Sequence, residues 1–408
     1  MKCRFCKTEL SNVFIDLINS PASNSFLLPA ALNERETFYP LKVYTCHQCF
    51  LVQVDEYKKS DAIFNSDYVY FSSYSTSWLK HAKAYTEMMT KRFGYHAQSL
   101  VVEIASNDGY LLQYFKEQKV PVLGIEPTSN TAEVAVAKGI ETIVDFFGVK
   151  LAKKLAAENR KADLLLGNNV LAHVPDIVDF VGGMKHLLKA NGVVTMEFPH
   201  LMQLVDNNQF DTIYHEHFSY LSFTTVQQIF ASQGLELFDV EEIPTHGGSL
   251  RIYAKHKEDK TKIITDKVAG LLAKEAAKGM SGLAYYDNFQ QKALQVKYDL
   301  TAFLIEKKRA GKKVAAYGAA AKGNTLLNYC GIKSDLIDFV VDANPHKQNK
   351  YMPASHIPVV TEQHLKEEQP DFVIILPWNL REEITEQLAY IKNWGGQFVV
   401  PIPAVQII

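Results

Sequence analysis

No stretch of this 408-residue chain approaches 18 uninterrupted apolar residues, so a membrane-spanning helix is not expected. The opening residues, MKCRFCKTEL, carry no apolar signal core, and the expectation is a soluble cytoplasmic protein. Net charge is equally scarce. A formal value of −2 gives no general attraction to nucleic acid or to acidic membranes. The chain lacks short-period repeats and low-complexity segments. It also lacks GxGxxG, which argues against an NAD enzyme, and the Gly-Lys-Ser/Thr ending of a phosphate-binding loop, which argues against a nucleoside triphosphatase. The length exceeds one ordinary core and predicts two large domains plus something smaller.

Cysteine is scarce too, yet four of the five fall in two CxxC pairs, Cys3 with Cys6 and Cys46 with Cys49. A CxxC pair brings two sulfurs together across a tight turn, and two pairs supply the tetrahedral sulfur set that zinc favours. Four thiolates leave no open coordination position, so the metal is expected to staple a small module. A disulfide framework or redox pairs are the rival readings; a missing secretory signal argues against the first and the second copy against the other. Cys330, alone, reads as a small buried residue.

From residue 100 apolar strands alternate with helices: LVVEIA, a helix near 110 to 118, VPVLGIEP, a helix near 130 to 139, ETIVDFF, ADLLLGNN, a helix near 177 to 190, and GVVTMEF. That alternation predicts a doubly wound parallel sheet. LELFDVEEIP and GGSLRIYAKH follow without a helix between them, as an antiparallel pair. Residues about 260 to 310 are charged and helical and read as a connection. KVAAYGAAAKGNTLLNY, IDFVVDANPHK, PDFVIILPW and GGQFVVPIP then repeat the strand, turn and helix logic in a smaller α/β unit. The expected division is a zinc module over 1–65, a cofactor domain over 66–258 and a C-terminal α/β domain over 259–408.

The turn in VVEIASNDGYLL matches the ExGxGxG form of S-adenosylmethionine-dependent methyltransferases, with Ala105 and Asn107 where glycines would stand and Gly109 retained. Asn tolerates left-handed backbone; Ala105 is the weaker match. Glu103 opens the motif. Glu126, at the next strand end, is suited to hold both ribose hydroxyls. Asp145 and Phe147 are expected near the adenine and Asn168 at the following crevice.

With the cysteine pairs, EIASNDG, YHEHFSYLS, PTHGGSLR and YGAAAKGNTLLNY in view, the whole chain resembles the sugar C-methyltransferases that make branched deoxysugars. The resemblance implies a class I methyltransferase domain between a zinc module and a second Rossmann-like domain. It further implies methyl transfer to carbon, usually C-3, of an NDP-4-keto-6-deoxyhexose. C-5 or O-methylation of a nucleotide sugar, or a non-catalytic zinc-stapled binding module, are the alternatives.

Such chemistry needs a base beside an acidic C–H and a donor for the enolate oxygen. The resemblance assigns His217 as base, Glu216 as its electrostatic or orienting neighbour, and Tyr214 as donor. It places His173 at the C-4 oxygen, with Tyr70, or Tyr74 as the alternative, reaching the same pocket, and leaves His215 without a role. A metal pair formed by His215 and His217 on one face of a strand, or a plain polar loop, are the rival readings of this cluster. The turn over 318–323, opening a helix with Lys322 and Asn324 alongside, is expected to hold the nucleotide diphosphate. Asp342 lies at the next strand end. THGGSLR offers His246, Ser249 and Arg251 to the substrate, with a surface salt bridge as the alternative for Arg251.

Overall fold

The computed structural model describes residues 1–64, 68 and 70–408. At the N-terminus, Asn12–Ser20, Tyr39–Thr45 and Val52–Val54 (β1–β3) pair antiparallel. One CxxC turn precedes β1 and the other lies between β2 and β3. The boundary expected at 65/66 falls outside the described residues.

Helix 76–93 leads into the second part; its first turn is capped by the Ser75 hydroxyl, which accepts from Trp78 N–H, and it stops at Gly94 with φ of 70°. Then come Val101–Ile104, Val122–Ile125, Thr142–Ile143, Ala162–Asn168 and Leu188–Pro199 (β4–β8), all parallel. Ser219–Tyr220 is β9, and Leu235–Ile243 and Ser249–His256 are β10 and β11. The sheet order is β10-β11-β8-β7-β4-β5-β6, with β11 antiparallel to both neighbours, which is the class I methyltransferase arrangement ending in an antiparallel pair. β4 and β7 are buried along almost their whole length and mostly apolar, as expected where helices cover both faces of a sheet, with Glu103 and Asn168 the polar exceptions near their carboxyl ends.

Helices 266–277 and 289–309 connect onward. The second is more than a solvated bridge: Phe289, Ala293, Val296, Leu300 and Leu304 form a buried stripe at helical spacing, and Phe289 stacks on Phe14 of β1 at 4.6 Å. The C-terminal sheet is built from Val314–Tyr317, Val340–Val341, Val359–Val360, Phe372–Ile375, Gln397–Val400 and Gln406–Ile407 (β12–β17) in the order β14-β13-β12-β15-β16-β17, parallel but for β17. Among the described residues no helix is long and apolar enough to cross a membrane.

The position of β9 was not legible in the sequence. It leaves the large sheet and adds to the N-terminal one, Val52 opposite Tyr220, so that sheet reads β1-β2-β3-β9. The small module therefore holds no core of its own. Phe14, Leu41 and Val43 pack into the core of the C-terminal domain, while Cys3, Cys46 and Cys49 pack with Leu171, Leu221 and Phe223 of the middle domain.

Candidate active site

The two CxxC turns are copies of each other. Lys7 N–H donates to Cys3 O and Phe50 N–H to Cys46 O, and the residue after each pair, Lys7 or Phe50, has positive φ of 63° or 58°. The four sulfurs lie within 4.8 Å of one another, with Cys3–Cys49 at 3.6 Å and Cys6–Cys46 at 3.5 Å. Bonds of about 2.3 Å in a tetrahedron put sulfurs about 3.8 Å apart, so the donor set fits zinc. The Gln53 amide supports the same state: its oxygen accepts Arg4 N–H at 2.8 Å, which turns its NH2 onto Cys3 Sγ at 3.2 Å, a donor for a thiolate. His215 and His217 do not form a second metal site. His215 Nε2 bonds Pro40 O at 3.1 Å and His217 faces Tyr214; the pair lies in a turn, His217 N–H to Tyr214 O, not on a strand. His215 thus ties this turn to β2.

The turn after β4 shows why the glycine-poor motif works. Ala105, Asn107 and Gly109 have φ of 56°, 48° and 74°, so all three positions of the motif adopt the left-handed conformation. Ala105 carries strain of about 1 kcal/mol for doing so. Asn107 contributes what glycine could not: its side-chain oxygen accepts Ser72 N–H at 2.9 Å and its NH2 donates to Tyr70 O at 3.1 Å, drawing the tyrosine-rich lead-in over the turn. A Cβ at Gly109 would run into Ile140. Glu126 ends β5 buried, accepting the N–H groups of Asn107 and Thr128 at 2.8 and 2.9 Å.

Several buried polar groups around this turn are left wanting partners, Ser106 Oγ and Asp108 Oδ1 in the turn itself among them. Among the described residues the Glu103 carboxylate oxygens and the Asn168 amide NH2 make no well-formed hydrogen bond although both are buried; the buried Tyr110 hydroxyl is their polar neighbour, and burial pushes the Glu103 pKa well up. A buried carboxyl in that state suits a cationic amino group, and the turn lies at the carboxyl edge of a parallel sheet, where such ligands bind, so these residues fit S-adenosylmethionine. Asp145 lies just past β6 with its side chain exposed and accepting Phe146 N–H, and Phe147 packs edge-on against Phe180.

The histidine pocket is assembled from distant segments. Thr212 O accepts from His217 Nδ1 at 2.9 Å, which leaves Nε2 as the ring's lone-pair nitrogen, 2.8 Å from the Tyr214 hydroxyl. His173, from the short turn Leu171–His173, stands edge-on to His217 with ring centres 4.5 Å apart. Burial, then the neighbouring His173, hold the His217 pKa well below its ordinary value; burial lowers that of His173 to about 4. Both rings are neutral at pH 7. Glu216 does not orient His217 through its carboxylate, although its main chain hydrogen-bonds His173. Its buried carboxylate turns the other way, accepting from Asn24 of the N-terminal module at 2.7 Å, and burial pushes its pKa up to about 7. The Thr212 carbonyl does the orienting instead. Tyr70 keeps 44% of its surface exposed, yet burial raises the pKa of its hydroxyl, which lies close enough to Tyr214 to interact with it electrostatically, and its carbonyl accepts from Asn107.

His246, with φ of 55°, bonds Asn169 at 2.8 Å and meets Trp78 edge-on; burial lowers its pKa to about 4. From the C-terminal domain, the Lys322 ammonium bonds Asn379 Oδ1 at 2.6 Å, lies 4.6 Å over the Trp378 ring, and has its pKa lowered by burial. Asp211 accepts the Trp378 indole N–H at 2.7 Å, and burial raises its carboxyl to about 6. Asp211 and Trp378 were missed in the sequence because nothing local distinguishes them.

Three further expectations need correcting. Arg251 is buried between Glu197 at 3.2 Å and Glu241 at 3.0 Å and over Tyr85, so its charge is already matched and does not face a phosphate. Asn324 is fully buried in the helix Ala321–Cys330, accepting from Asn328, and a Cβ at Gly323 would meet Leu376; that turn side faces the core. Ser249 is buried too, its hydroxyl donating to Thr245 O. Asp342 accepts Asn344 N–H at the end of β13.

Known proteins bear on the whole arrangement. Residues 3–64 match a family model described as "Putative zinc binding domain", 80–240 one described as "Methyltransferase domain", and 244–403 one described as "C-methyltransferase C-terminal domain". The C-methyltransferase NovU of Streptomyces niveus is 32% identical over 407 residues, covering 100% of this chain and 96% of that protein. Among solved structures, the PH0226 protein of Pyrococcus horikoshii OT3 is 16% identical over 46% of this chain and 95% of its own, with a TM-score of 0.38. Magnesium protoporphyrin IX methyltransferase of Synechocystis PCC 6803 is 13% identical over 43% and 78%, with a TM-score of 0.33.

Proposed function

The chain belongs to the S-adenosylmethionine-dependent C-methyltransferases with an N-terminal zinc-binding domain, and we propose that it methylates C-3 of a nucleotide-linked 4-keto-6-deoxyhexose. The observation that carries this reading is the neutral, desolvated His217 bonded to Tyr214 at 2.8 Å, with His173 beside it. When bound at the turn after β4, S-adenosylmethionine supplies a methyl group made electrophilic by its positive sulfur. The residues do the rest. Thr212 fixes the tautomer, so Nε2 carries the lone pair. That lone pair accepts the Tyr214 hydroxyl hydrogen; a keto oxygen docking on the hydroxyl draws the phenolic hydrogen to itself and frees Nε2 to take the C-3 proton. Tyr214 then holds the enolate oxygen, and His173 is placed to help at C-4. Burial excludes water, which strengthens each of these contacts. The roles of Lys322 at the diphosphate and of Asp145 and Phe147 at the adenine belong to this proposal. So does a cytoplasmic location, where thiols stay reduced.

The test uses a dTDP- or GDP-linked 4-keto-6-deoxyhexose with enzyme and S-adenosylhomocysteine in deuterated water. Wild type should wash deuterium into C-3 and His217→Asn should not; undiminished exchange in the variant removes His217 from the base role. Glu216, a buried carboxyl raised to about 7, is the second group able to exchange a proton near neutrality. Loss of exchange in Glu216→Gln alone would move the base there. NMR of the methylated product decides between C-3, C-5 and oxygen.

A further inference from the structure

Arg4 sits between two cysteine ligands, Cys3 and Cys6, yet its side chain reaches the catalytic loops. One guanidinium nitrogen donates to Pro175 O at 2.7 Å, two residues beyond His173. The other donates to Val54 O in β3, and the guanidinium carbon lies 5.3 Å from the ring centre of Phe218, the residue after His217. Val54 N–H in turn donates to Phe218 O at 3.1 Å. The main chain of Arg4 is held through Gln53, whose amide links Arg4 N–H to Cys3 Sγ. A continuous path of hydrogen bonds therefore runs from the sulfur cluster to the turn bearing His173 and to the chain leaving His217.

Resting on the enolising reaction proposed above, we propose that Arg4 is a positioning residue: it pins the His173 turn and the Phe218 ring to one rigid knuckle and so sets the separation of the two histidine rings. The physical case is geometric. His173 belongs to a turn of three residues in the middle domain, whereas His217 precedes a strand that pairs with the N-terminal sheet. The two loops touch each other at the histidine rings and through the bond from His173 to the Glu216 main chain, and Arg4 adds a bond to the chain beyond one and a ring contact on the other, tying both to the same knuckle. A planar guanidinium suits the task because it donates in two directions while stacking on an aromatic face; lysine offers one point charge. Misplacement by about 1 Å in a proton-transfer site can cost about 10²-fold in rate. On this view the zinc module is part of the active-site frame as well as a staple.

The test compares wild type, Arg4→Gln and Arg4→Lys as full-length, zinc-loaded protein. Arg4→Gln should keep one zinc per chain and wild-type affinity for S-adenosylhomocysteine, yet lose about 10²-fold in kcat with KM within a factor of about two. The side-chain ¹⁵N resonances of His173 and His217 should move, and Arg4→Lys should recover part of both effects. Wild-type kcat and unmoved histidine resonances in zinc-replete Arg4→Gln would overturn the proposal. Should Arg4→Gln lose its zinc, Phe218→Leu takes its place, removing the aromatic face and leaving the cysteine knuckle alone; wild-type values there overturn it equally. If wild type itself exchanges no deuterium at carbon, the reaction reading fails, while the histidine resonances still report whether Arg4 sets the rings.

Discussion

The crevice around Gly109 and the pocket around His217 meet at the end of β7, where Asn168 closes the strand and Asn169, next along, bonds His246. They are built differently. The crevice comes mainly from one short run, Glu103 to Glu126, and what sets it apart is the cost stored in its backbone, Ala105 and Asn107 being held at φ of 56° and 48°, beside the burial of the Glu103 carboxyl. The pocket collects side chains from Asn24, His173, the 211–217 turn, His246 and Lys322, and its cost is electrostatic. Histidine pKa values are driven down while those of Asp211 and Glu216 are driven up. A ligand cradled by main chain needs a shaped backbone, whereas a proton-transfer site needs charged forms made costly. Each region stores its strain in the term its chemistry uses.

Breaking the pocket at its support should have the largest effect. Cys46→Ser should release the metal and loosen the sheet that holds β9, abolishing activity and exposing the 1–64 region to protease; structural zinc in small modules is worth on the order of 10 kcal/mol. Metal analysis with limited proteolysis checks this, and a zinc-replete, active variant would contradict it. Next comes His217→Asn, expected to lower kcat about 10³-fold while calorimetry finds S-adenosylhomocysteine bound as in wild type. That outcome separates the two regions; loss of binding would join them. Gly109→Ala should do the reverse, weakening S-adenosylhomocysteine by about tenfold as its Cβ meets Ile140 at positive φ, with the pocket's histidine resonances unmoved.

The electrostatic side of the contrast can be read in stability. His173 and His246, lowered to about 4, make the unfolded chain bind more protons between pH 6.5 and 4, so they destabilise as pH falls through that window. Glu216 and Asp211, raised to about 7 and about 6, make the folded chain bind more protons above pH 4.5 and 3.8, so they stabilise as pH falls. The contributions of these four groups are opposed in sign and largely cancel one another between pH 6.5 and 5. Glu216→Gln removes one proton's worth of compensation and should steepen the acid loss by up to about 1.4 kcal/mol per pH unit, measured by urea unfolding; an unchanged slope would refute it. The smallest effect is expected at the crevice: Ala105→Gly should relieve the left-handed strain and stabilise by about 1 kcal/mol at most, with cofactor affinity unchanged.

The crevice was readable in the chain because Glu103, Asn107, Gly109 and Glu126 lie on one strand-turn-helix-strand unit whose spacing dictates their meeting. The two cysteine pairs were readable for a similar reason: each pair closes on itself locally, and four sulfurs have few other uses. Glu216 and Arg251 show the limit. Both were expected to face the chemistry, yet Glu216 found Asn24 from 192 positions away and Arg251 found two buried carboxylates. Partners for a buried charge are chosen by proximity in space, which residue type alone does not encode.

By itself, then, the amino-acid order determined the alternating elements, the left-handed turn and the metal donors, all of them consequences of periodicity and local backbone preference. Only the tertiary structure decided that the strand after His217 crosses to the N-terminal sheet, that Thr212 and not Glu216 orients the imidazole, and that Asp211, Lys322 and Trp378 share one buried corner. Those outcomes depend on desolvation and on contacts between segments far apart in the chain, and neither exists until the three parts have packed together.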